Sequence, residues 1–310
     1  MKYRNAPTNY QEWLKDREAN PSIGASQSAA ILGLSNWATP FDVWHELVNG
    51  FEAKEDNLTF RLGRELEPII RTLFMEETGL KVVNDNKIRI SESYPYITTN
   101  LDGMVVGEKV PVEYKTTAMG WDGEIPDEYF IQLQHQMFVT NTPHCYFAIL
   151  CLGFKKELII QRFERDDDFI DNMVTELVRF WEEYVETKEP PPLVSVSDAR
   201  KLYFNEEPDT IIQADEEIYK ITKSLQQDGV EKKRLDDKMN LARLQLMNVL
   251  ENKQELQYNG TTLVTWKQTK PREYFDKNTF KKEHPNLYSN YVSSKDGARR
   301  FTLKKGVEND

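Results

Sequence analysis

Hydrophobic positions in the first 120 residues change from helical spacing to strand spacing. Residues 9–50 predict short helices, and apolar residues recur at helical spacing from about Leu58 to Thr78, where Gly79 predicts the helix end. Three runs rich in Val, Ile, Thr and Tyr then predict strands: KVVNDNKIRI, YPYITTNLDGMVVG and VPVEYKTT.

The pattern then alternates between helix and strand up to about residue 187. Helical spacing returns from Asp127 to Thr140, and an amphipathic helix is predicted from Asp167 to Thr187. Between them, CYFAILCLGF and KELIIQRFER predict a strand pair joined near Gly153. This order of elements predicts an α/β fold with a mixed central sheet flanked by helices.

A proline run marks a boundary at Glu189-Pro190-Pro191-Pro192, which predicts domains of 1–190 and 191–310. Beyond it, apolar residues between Ile218 and Val249 fall on alternating three- and four-residue steps, interrupted at Asp228-Gly229. This spacing predicts a coiled-coil-like helix or hairpin, or else an ordinary amphipathic helix packed within its own domain. GTTLVTWKQT and RRFTLKK predict short strands near the end.

Composition is that of a globular protein. The 310 residues are 39% hydrophobic and 29% charged, which excludes collagen-like, wholly disordered and disulfide-scaffold classes. No apolar run approaches the roughly 18–20 residues that span a bilayer, and the polar N-terminus lacks a secretory signal. Cys145 and Cys151 lie in one apolar run, which predicts buried thiols in a reducing compartment. We therefore expect a soluble cytoplasmic protein.

Charge is divided unevenly along the chain. The net charge is −11, but residues 1–190 carry −13, whereas residues 253–305 carry 12 basic and 5 acidic residues, or +7. The total argues weakly against a non-specific nucleic-acid binder. It does not exclude one, because phosphates respond to a local patch.

The strongest chemical signal is Asp102, followed eleven residues later by Glu113 and then Lys115. Glu113 and Lys115 are two apart on a predicted strand, so both side chains leave the same face of the sheet. A hairpin return would place Asp102, at the end of the preceding strand, beside Glu113. Carboxylate oxygens in this arrangement suit Mg²⁺. The alternative is a surface Glu–Lys ion pair of less than about 1 kcal/mol.

Two helix residues extend this candidate site. Glu67, in FRLGRELEPIIR, lies near the apolar stripe of its helix, unlike Glu65, and is otherwise a solvated carboxylate at the stripe's edge. Gln132, in IQLQHQMF, lies on the core-facing side, where its amide could orient water or phosphate. Its alternative is a boundary glutamine.

Five ordered blocks of the sequence resemble the PD-(D/E)XK nucleases, and more narrowly the YqaJ-type viral recombinase group related to lambda exonuclease. The blocks are IGASQSAAILGLS, LGRELEP, TNLDGMV, VEYKTT and YFIQLQHQMFVT. The resemblance implies a restriction-endonuclease-like core and a metal-dependent exonuclease that digests one strand of linear double-stranded DNA from its 5′ end. It also implies phage-type recombination beside a single-strand annealing recombinase, and a homo-oligomer, trimer or larger.

Site roles follow from the same resemblance. Asp102, Glu113, the Tyr114 carbonyl and Glu67 would hold Mg²⁺, for which Mn²⁺ could substitute. Lys115 would position the attacking water and stabilise phosphate charge, and Gln132 would complete the active site. Ser26, which also stands as a candidate N-cap before SAAILGL, would lie near the terminal phosphate with Arg17, although the spacing between them is about two residues longer than in many relatives.

Other chemistry has little support in the sequence. GxSxG, Walker A, HExxH and strand-linked GxGxxG motifs are absent, and the four histidines show no zinc spacing, so His135 and His144 are interpreted as structural. Two rival functions stay open: an endonuclease of the same fold, and a non-catalytic DNA-binding or adaptor protein.

The basic stretch 253–305 has three open interpretations. Its aromatic residues alternate with Lys and Arg, which is typical of single-stranded nucleic-acid binding: Trp266, Tyr274, Phe275, Phe280, Tyr288, Tyr291 and Phe301. A small β-containing subdomain with an aromatic core is the second interpretation, and docking of the annealing protein is the third.

Overall fold

A seven-stranded mixed sheet organises the first of two units, which ends at Leu202. The computed structural model describes residues 2–51, 57–118, 120–121, 123–294 and 297–304. The strands of this unit are β1 (Lys2–Asn5), β2 (Ile23–Gly24), β3 (Val82–Ile90), β4 (Ile97–Val105), β5 (Pro111–Thr117), β6 (His144–Cys151) and β7 (Glu157–Glu164).

In the described residues of this unit the helices number seven. They are α1 (Tyr10–Ala19), α2 (Ser28–Ile31), α3 (Pro40–Asn49), α4 (Leu58–Thr78), α5 (Asp127–Thr140), α6 (Asp167–Phe180) and α7 (Val196–Leu202). A 3₁₀ turn, Ala25–Gln27, precedes α2, and a π-helical turn, Trp181–Val185, follows α6.

The strand order confirms the predicted mixed α/β sheet. It runs β1-β3-β4-β5-β6-β7, with β2 beside β4 off this path. The pairs β5–β6 and β2–β4 are parallel and the other pairs are antiparallel. The parallel pairing of β5 with β6 requires a crossover connection between these strands, and α5 supplies it.

The helices cover both faces of the sheet. On β6, Ala148 packs in the cluster that contains Ile70 and Phe74 of α4. Its neighbour Phe147 packs instead with Leu133 of α5. Because successive strand residues point to opposite faces, α4 and α5 lie on opposite sides of the sheet.

Helix α4 begins and ends at the predicted residues for clear local reasons. The Asn57 side chain accepts a hydrogen bond from the Phe60 backbone N–H and caps the first turn. Gly79 ends the helix in the left-handed conformation, at φ 71°.

Three local predictions are wrong. Ser26 does not cap α2, because it lies inside the 3₁₀ turn and Gln27 occupies the cap position. Asp102 lies inside β4 rather than at its end. RRFTLKK is not a strand over 299–304, where the Lys304 carbonyl instead accepts from the Gln226 amide; Lys305 lies outside the described residues.

The chain remains on the first unit beyond the proline run. Leu193 and Leu202 pack against the core of that unit. Asp198 is fully buried and accepts hydrogen bonds from the Thr39 hydroxyl and the Val194 backbone N–H, among other donors. The structural division after Leu202 therefore comes later than the boundary predicted at residue 190.

The second unit, from Tyr203, contains one long helix and several short elements. Helix α8 runs unbroken from Glu216 to Leu250, so Asp228-Gly229 does not divide it into a hairpin. The other elements are β8 (Glu255–Tyr258), β9 (Thr261–Thr265), α9 (Lys277–Glu283) and α10 (Pro285–Asn290), with β8 and β9 antiparallel.

The structure bears on two expectations from the sequence, one about the cysteines and one about membrane-spanning segments. Cys145 and Cys151 are buried free thiols, as predicted. Among the helices of the described residues, none combines the length and the apolar character needed to cross a membrane.

A close approach between strands accounts for Gly103 in β4. A Cβ atom there would lie 2.7 Å from Val82 Cγ1 and 2.9 Å from the Tyr114 hydroxyl oxygen. We expect Gly103→Ala to lower the free energy of unfolding by about 1–3 kcal/mol, measured by urea denaturation. Gly107→Ala is the matched control, since a Cβ there has no neighbour within 4 Å. Equal stability of the two variants would contradict this packing argument.

Candidate active site

The antiparallel pairing of β4 with β5 brings the two strand carboxylates together. Gly103 pairs with Val112 and Met104 with Pro111, so the next position along the ladder places Asp102 beside Glu113. The Tyr114 backbone N–H donates to Asp102 Oδ2 at 2.8 Å. The hairpin return expected from the spacing is thus present.

Glu113 is buried at the centre of a group of polar side chains, here called the Glu113 cluster: Lys115, Gln132 and Gln136, which hydrogen-bond to Glu113, and Asp102, which lies beside it on β4. Glu113 Oε1 accepts from Lys115 Nζ at 2.6 Å and from Gln132 Nε2 at 2.7 Å. Glu113 Oε2 accepts from Gln136 Nε2 at 2.6 Å. The Glu113 side chain is only 4% exposed, so its contact with Lys115 is not the surface ion pair of the alternative interpretation.

The close packing of charged side chains changes the pKa values of Asp102 and Lys115. Burial and the nearby Glu113 raise the pKa of Asp102 well above its usual value. Burial alone would lower the pKa of Lys115, but Glu113 and Asp102 outweigh it and raise that pKa. Lys115 is therefore held as an ammonium group among carboxylates.

Glu67 of α4 joins the cluster through its charge. It is half-buried, whereas Glu65 is exposed, as the sequence indicated. Burial and then repulsion by Glu113 raise the pKa of Glu67, while Lys115 and Arg64 oppose that shift. Three carboxylates consequently repel one another in one region.

Sequence reasoning missed Gln136. It is fully buried, it holds the second oxygen of Glu113, and its own Oε1 has no hydrogen-bond partner among the described residues. The available signal was its spacing, because Gln136 follows Gln132 by four residues and shares its helix face.

His135 is structural, as interpreted from the sequence. Its Nδ1 lies 2.7 Å from the Ser28 hydroxyl oxygen and its Nε2 lies 2.9 Å from the Thr98 carbonyl oxygen. Complete burial lowers the pKa of His135 to about 4, so the ring is neutral near pH 7. It ties the start of α2 to β4 behind the candidate site.

Ser26 and Arg17 lie in the N-terminal part of the first unit. Ser26 is exposed on the 3₁₀ turn, and Arg17 Nη1 lies 3.6 Å from the position of a Cβ on Gly24, two residues before Ser26. The guanidinium packs over the rings of Trp13 and Phe51, and burial lowers the Arg17 pKa. Within the described residues, neither Ser26 nor Arg17 hydrogen-bonds to the Glu113 cluster.

The residue types of the site fit a hard divalent cation. Its donors are carboxylate oxygens, and their mutual repulsion is what a cation would relieve. However, no three His, Cys, Asp or Glu side chains in the described part of the chain are close enough together to hold a metal ion. Glu113 binds an ammonium and two amides instead.

The structure places an acidic residue and a Glu-x-Lys pair on adjacent strands of a mixed, helix-flanked sheet, which is the arrangement that the resemblance to PD-(D/E)XK nucleases implies. Residues 12–143 match the family model described as the YqaJ-like viral recombinase domain. The matched region contains all five motif blocks, so the family match agrees with the resemblance found in the motifs.

A named relative is similar to this chain over a longer stretch than the family model. The protein called "Uncharacterized protein YqaJ" from Bacillus subtilis (strain 168) is 34% identical over 206 residues. The alignment covers 64% of this chain and 63% of that relative, which is less than two thirds of its length.

Solved structures with a similar fold include two exonucleases. The alkaline exonuclease LHK-Exo from Laribacter hongkongensis has a TM-score of 0.49 and 24% identity, covering 58% of this chain and 94% of that chain. A phage related exonuclease from Haemophilus somnus 129PT has a TM-score of 0.44 and 16% identity, covering 55% and 96% respectively. Each match covers little more than half of this chain.

Proposed function

We propose that the first unit is a metal-dependent deoxyribonuclease, specifically a 5′–3′ exonuclease that acts on linear double-stranded DNA. The observation that carries this proposal is the buried contact of Glu113 with Lys115, beside Asp102. A buried ammonium–carboxylate group is costly to maintain, and its charges match the needs of phosphodiester hydrolysis. The YqaJ-like domain adds support from the family side.

The metal proposal assigns four ligands. Asp102, Glu113, Glu67 and the Tyr114 carbonyl would hold Mg²⁺, and Mn²⁺ would substitute. When bound, such an ion lowers the pKa of water and stabilises negative charge on phosphate. Burial, and then repulsion by Glu113, raise the pKa of both Asp102 and Glu67, and relief of that repulsion by a cation supports this assignment.

The other side chains of the cluster have separate proposed roles. Lys115, kept charged by its neighbours, orients the attacking water and stabilises the developing phosphate charge. Gln132 and Gln136 fix the Glu113 carboxylate through one amide on each oxygen. Their neutral amides orient Glu113 without adding charge.

Attack at a 5′ end requires recognition of a terminal phosphate. Ser26 offers an exposed hydroxyl, and the Arg17 guanidinium lies beside Gly24, the residue before the 3₁₀ turn that carries Ser26, so both side chains have phosphate-binding chemistry. Digestion from this end leaves 3′ single strands, which suit phage-type recombination with a single-strand annealing recombinase.

The test uses linear duplex DNA with a 5′-phosphate on one strand only, incubated with the full chain and Mg²⁺. We expect loss of the phosphorylated strand and no effect of the enzyme when EDTA is present. A closed circular duplex in parallel should survive. Cleavage of the circle would instead indicate an endonuclease, and no cleavage of either substrate would indicate the non-catalytic adaptor.

We further propose a homo-oligomer, trimer or larger, because exonucleases that remain on a duplex benefit from surrounding it. Light scattering on the full chain, whose mass is 36.3 kDa, measures this directly. A monomer at micromolar concentration that still digests DNA processively would contradict the proposal.

Residues 253–305 are proposed to hold single-stranded DNA. Tyr274 and Tyr291 are 84% and 83% exposed, which argues against an aromatic core around them. Loss of base stacking in Tyr274→Ala/Tyr291→Ala should weaken single-strand binding by about tenfold or more, measured by fluorescence anisotropy. Tyr203→Ala is the control, an exposed tyrosine of the second unit outside the basic stretch. Unchanged affinity in the double variant would favour partner docking for this stretch.

A further inference from the structure

The exposed seam of α8 is the strongest unassigned surface in the second unit. Its members recur with heptad spacing and are all exposed: Ile218, Ile221, Leu225, Leu235, Met239, Ala242, Leu246 and Val249. Such a stripe on a 35-residue helix predicts pairing with another helix. Charged residues in the middle of the stripe indicate which helix is the partner.

Two charged residues occupy the remaining seam positions. Continuing the alternating steps from Leu225 leads to Asp228, then to Lys232, and then to Leu235. Both charged side chains are exposed. The interruption in the hydrophobic pattern is therefore an adjacent pair of opposite charges within an otherwise regular heptad seam.

We infer that α8 pairs in an antiparallel coiled coil with α8 of a second copy of this chain, with a twofold axis near Val230. In this register each Asp228 lies opposite Lys232 of the second copy, and this contact occurs twice. The inference does not depend on the proposed nuclease activity.

The same register matches the three apolar seam positions on each side of the charged pair, while Leu246 and Val249 extend beyond the paired length of α8. In an antiparallel pair, the residue numbers of any two facing positions have the same sum as those of Asp228 and Lys232. Leu225 therefore faces Leu235 of the second copy. By the same rule Ile221 faces Met239, and Ile218 faces Ala242. Positions of the a and d type thus meet each other, as an antiparallel coiled coil requires.

A parallel in-register pair fails on charge. It would bury Asp228 against Asp228 and Lys232 against Lys232, and like charges opposite each other in a seam are strongly unfavourable. An unrelated apolar partner would leave both charges unpaired when buried. A second copy in the antiparallel orientation neutralises both.

Residues beside the seam are compatible with this pairing. Gly229 flanks the axis, and the absence of a side chain permits close approach of the two helices. Glu231 lies on the other side of the seam and forms an ion pair with Arg234 of its own helix at 2.7 Å. This ion pair reduces the repulsion between Glu231 and the Glu231 of the second copy.

Charge reversal in the full chain tests the inference. Asp228→Lys and Lys232→Asp should each weaken the pairing of α8 at least tenfold, so that the mass from sedimentation equilibrium at micromolar concentration falls to half that of the wild type, whatever oligomer the first unit forms by itself. Combining them should restore the wild-type mass, because opposite charges again face each other. Lys233→Asp, one position outside the seam, is the control and should change nothing.

Single cysteines determine the orientation. The native Cys145 and Cys151 are buried, so they contribute little background. A mixture of the Leu225→Cys and Leu235→Cys variants should yield the mixed disulfide, whereas Leu225→Cys alone should not link to itself. A monomeric wild type, unchanged mass in both reversals, failure of the double variant to recover, or efficient self-linking of Leu225→Cys would each overturn the inference.

Discussion

Lys115→Ala is expected to lower the rate of DNA digestion by about 10²-fold or more while the protein remains folded. The ammonium lies 2.6 Å from Glu113, and Glu113 and Asp102 keep it charged. Its loss removes the positive group nearest to where phosphate charge would develop. Single-turnover digestion of end-labelled duplex at saturating Mg²⁺ measures the effect.

Lys155→Ala is the matched control for this variant. Lys155 also pairs with a glutamate two residues away, Glu157, but its side chain is 80% exposed. It should keep wild-type activity. Near wild-type digestion by Lys115→Ala, or an equal loss in both variants, would remove the support for the assigned role.

Asp102→Asn is expected to abolish digestion and, in metal-free buffer, to stabilise the fold. Removing this carboxylate relieves repulsion with Glu113, while the amide oxygen can still accept from the Tyr114 N–H. Linkage gives the sign of this effect. When folding raises the pKa of a carboxyl group, the protein loses stability as the pH rises through that raised pKa, and an Asn side chain causes no such loss. Each kcal/mol gained raises the Tm by about 2–4 °C.

Asp85→Asn provides a control of opposite sign. Asp85 pairs with Arg89 at 2.5 Å, and both side chains are almost buried, so its neutralisation should lower the Tm. Differential scanning calorimetry with and without Mg²⁺ compares the variants. Mg²⁺ should raise the Tm of the wild type and not that of Asp102→Asn. A Tm for Asp102→Asn below that of the wild type would refute the repulsion argument.

Local signals explain which parts of the fold could be predicted. The bounds of α4 follow from two caps, Asn57 and Gly79, that act within a few residues. The meeting of Asp102 and Glu113 follows from a short hairpin, whose length sets the register. Such features depend on neighbours in the sequence.

Features that depend on distant partners could not be predicted. The tail 299–304 has a strand-like composition, yet its Arg299 side chain binds the Tyr203 carbonyl and it pairs with no strand among the described residues. Strand β1 gains its place from pairing with β3, more than eighty residues later. Propensity alone does not identify such partners.

The candidate site shows the same division. The alternation of side chains along the strands predicts that Asp102, Glu113 and Lys115 lie together. It does not predict Gln136, because the contact of Gln136 with Glu113 depends on how α5 lies across β5. Ser26 was assigned as a cap from its position before an apolar run. The backbone instead tightens into a 3₁₀ turn there, and Ser28 makes the buried contact with His135.

The hydrogen bond between Thr39 and Asp198 also constrains folding during synthesis. It joins residues 159 apart, and Asp198 lies only four residues before the end of the first unit. At about 5–20 residues per second, the ribosome needs roughly 10–40 s to make the first 200 residues, and only then can this contact close. Until Asp198 emerges, the N-terminal capping turn of α3 lacks one of its partners. This contact therefore forms only after nearly all of the first unit has been synthesised.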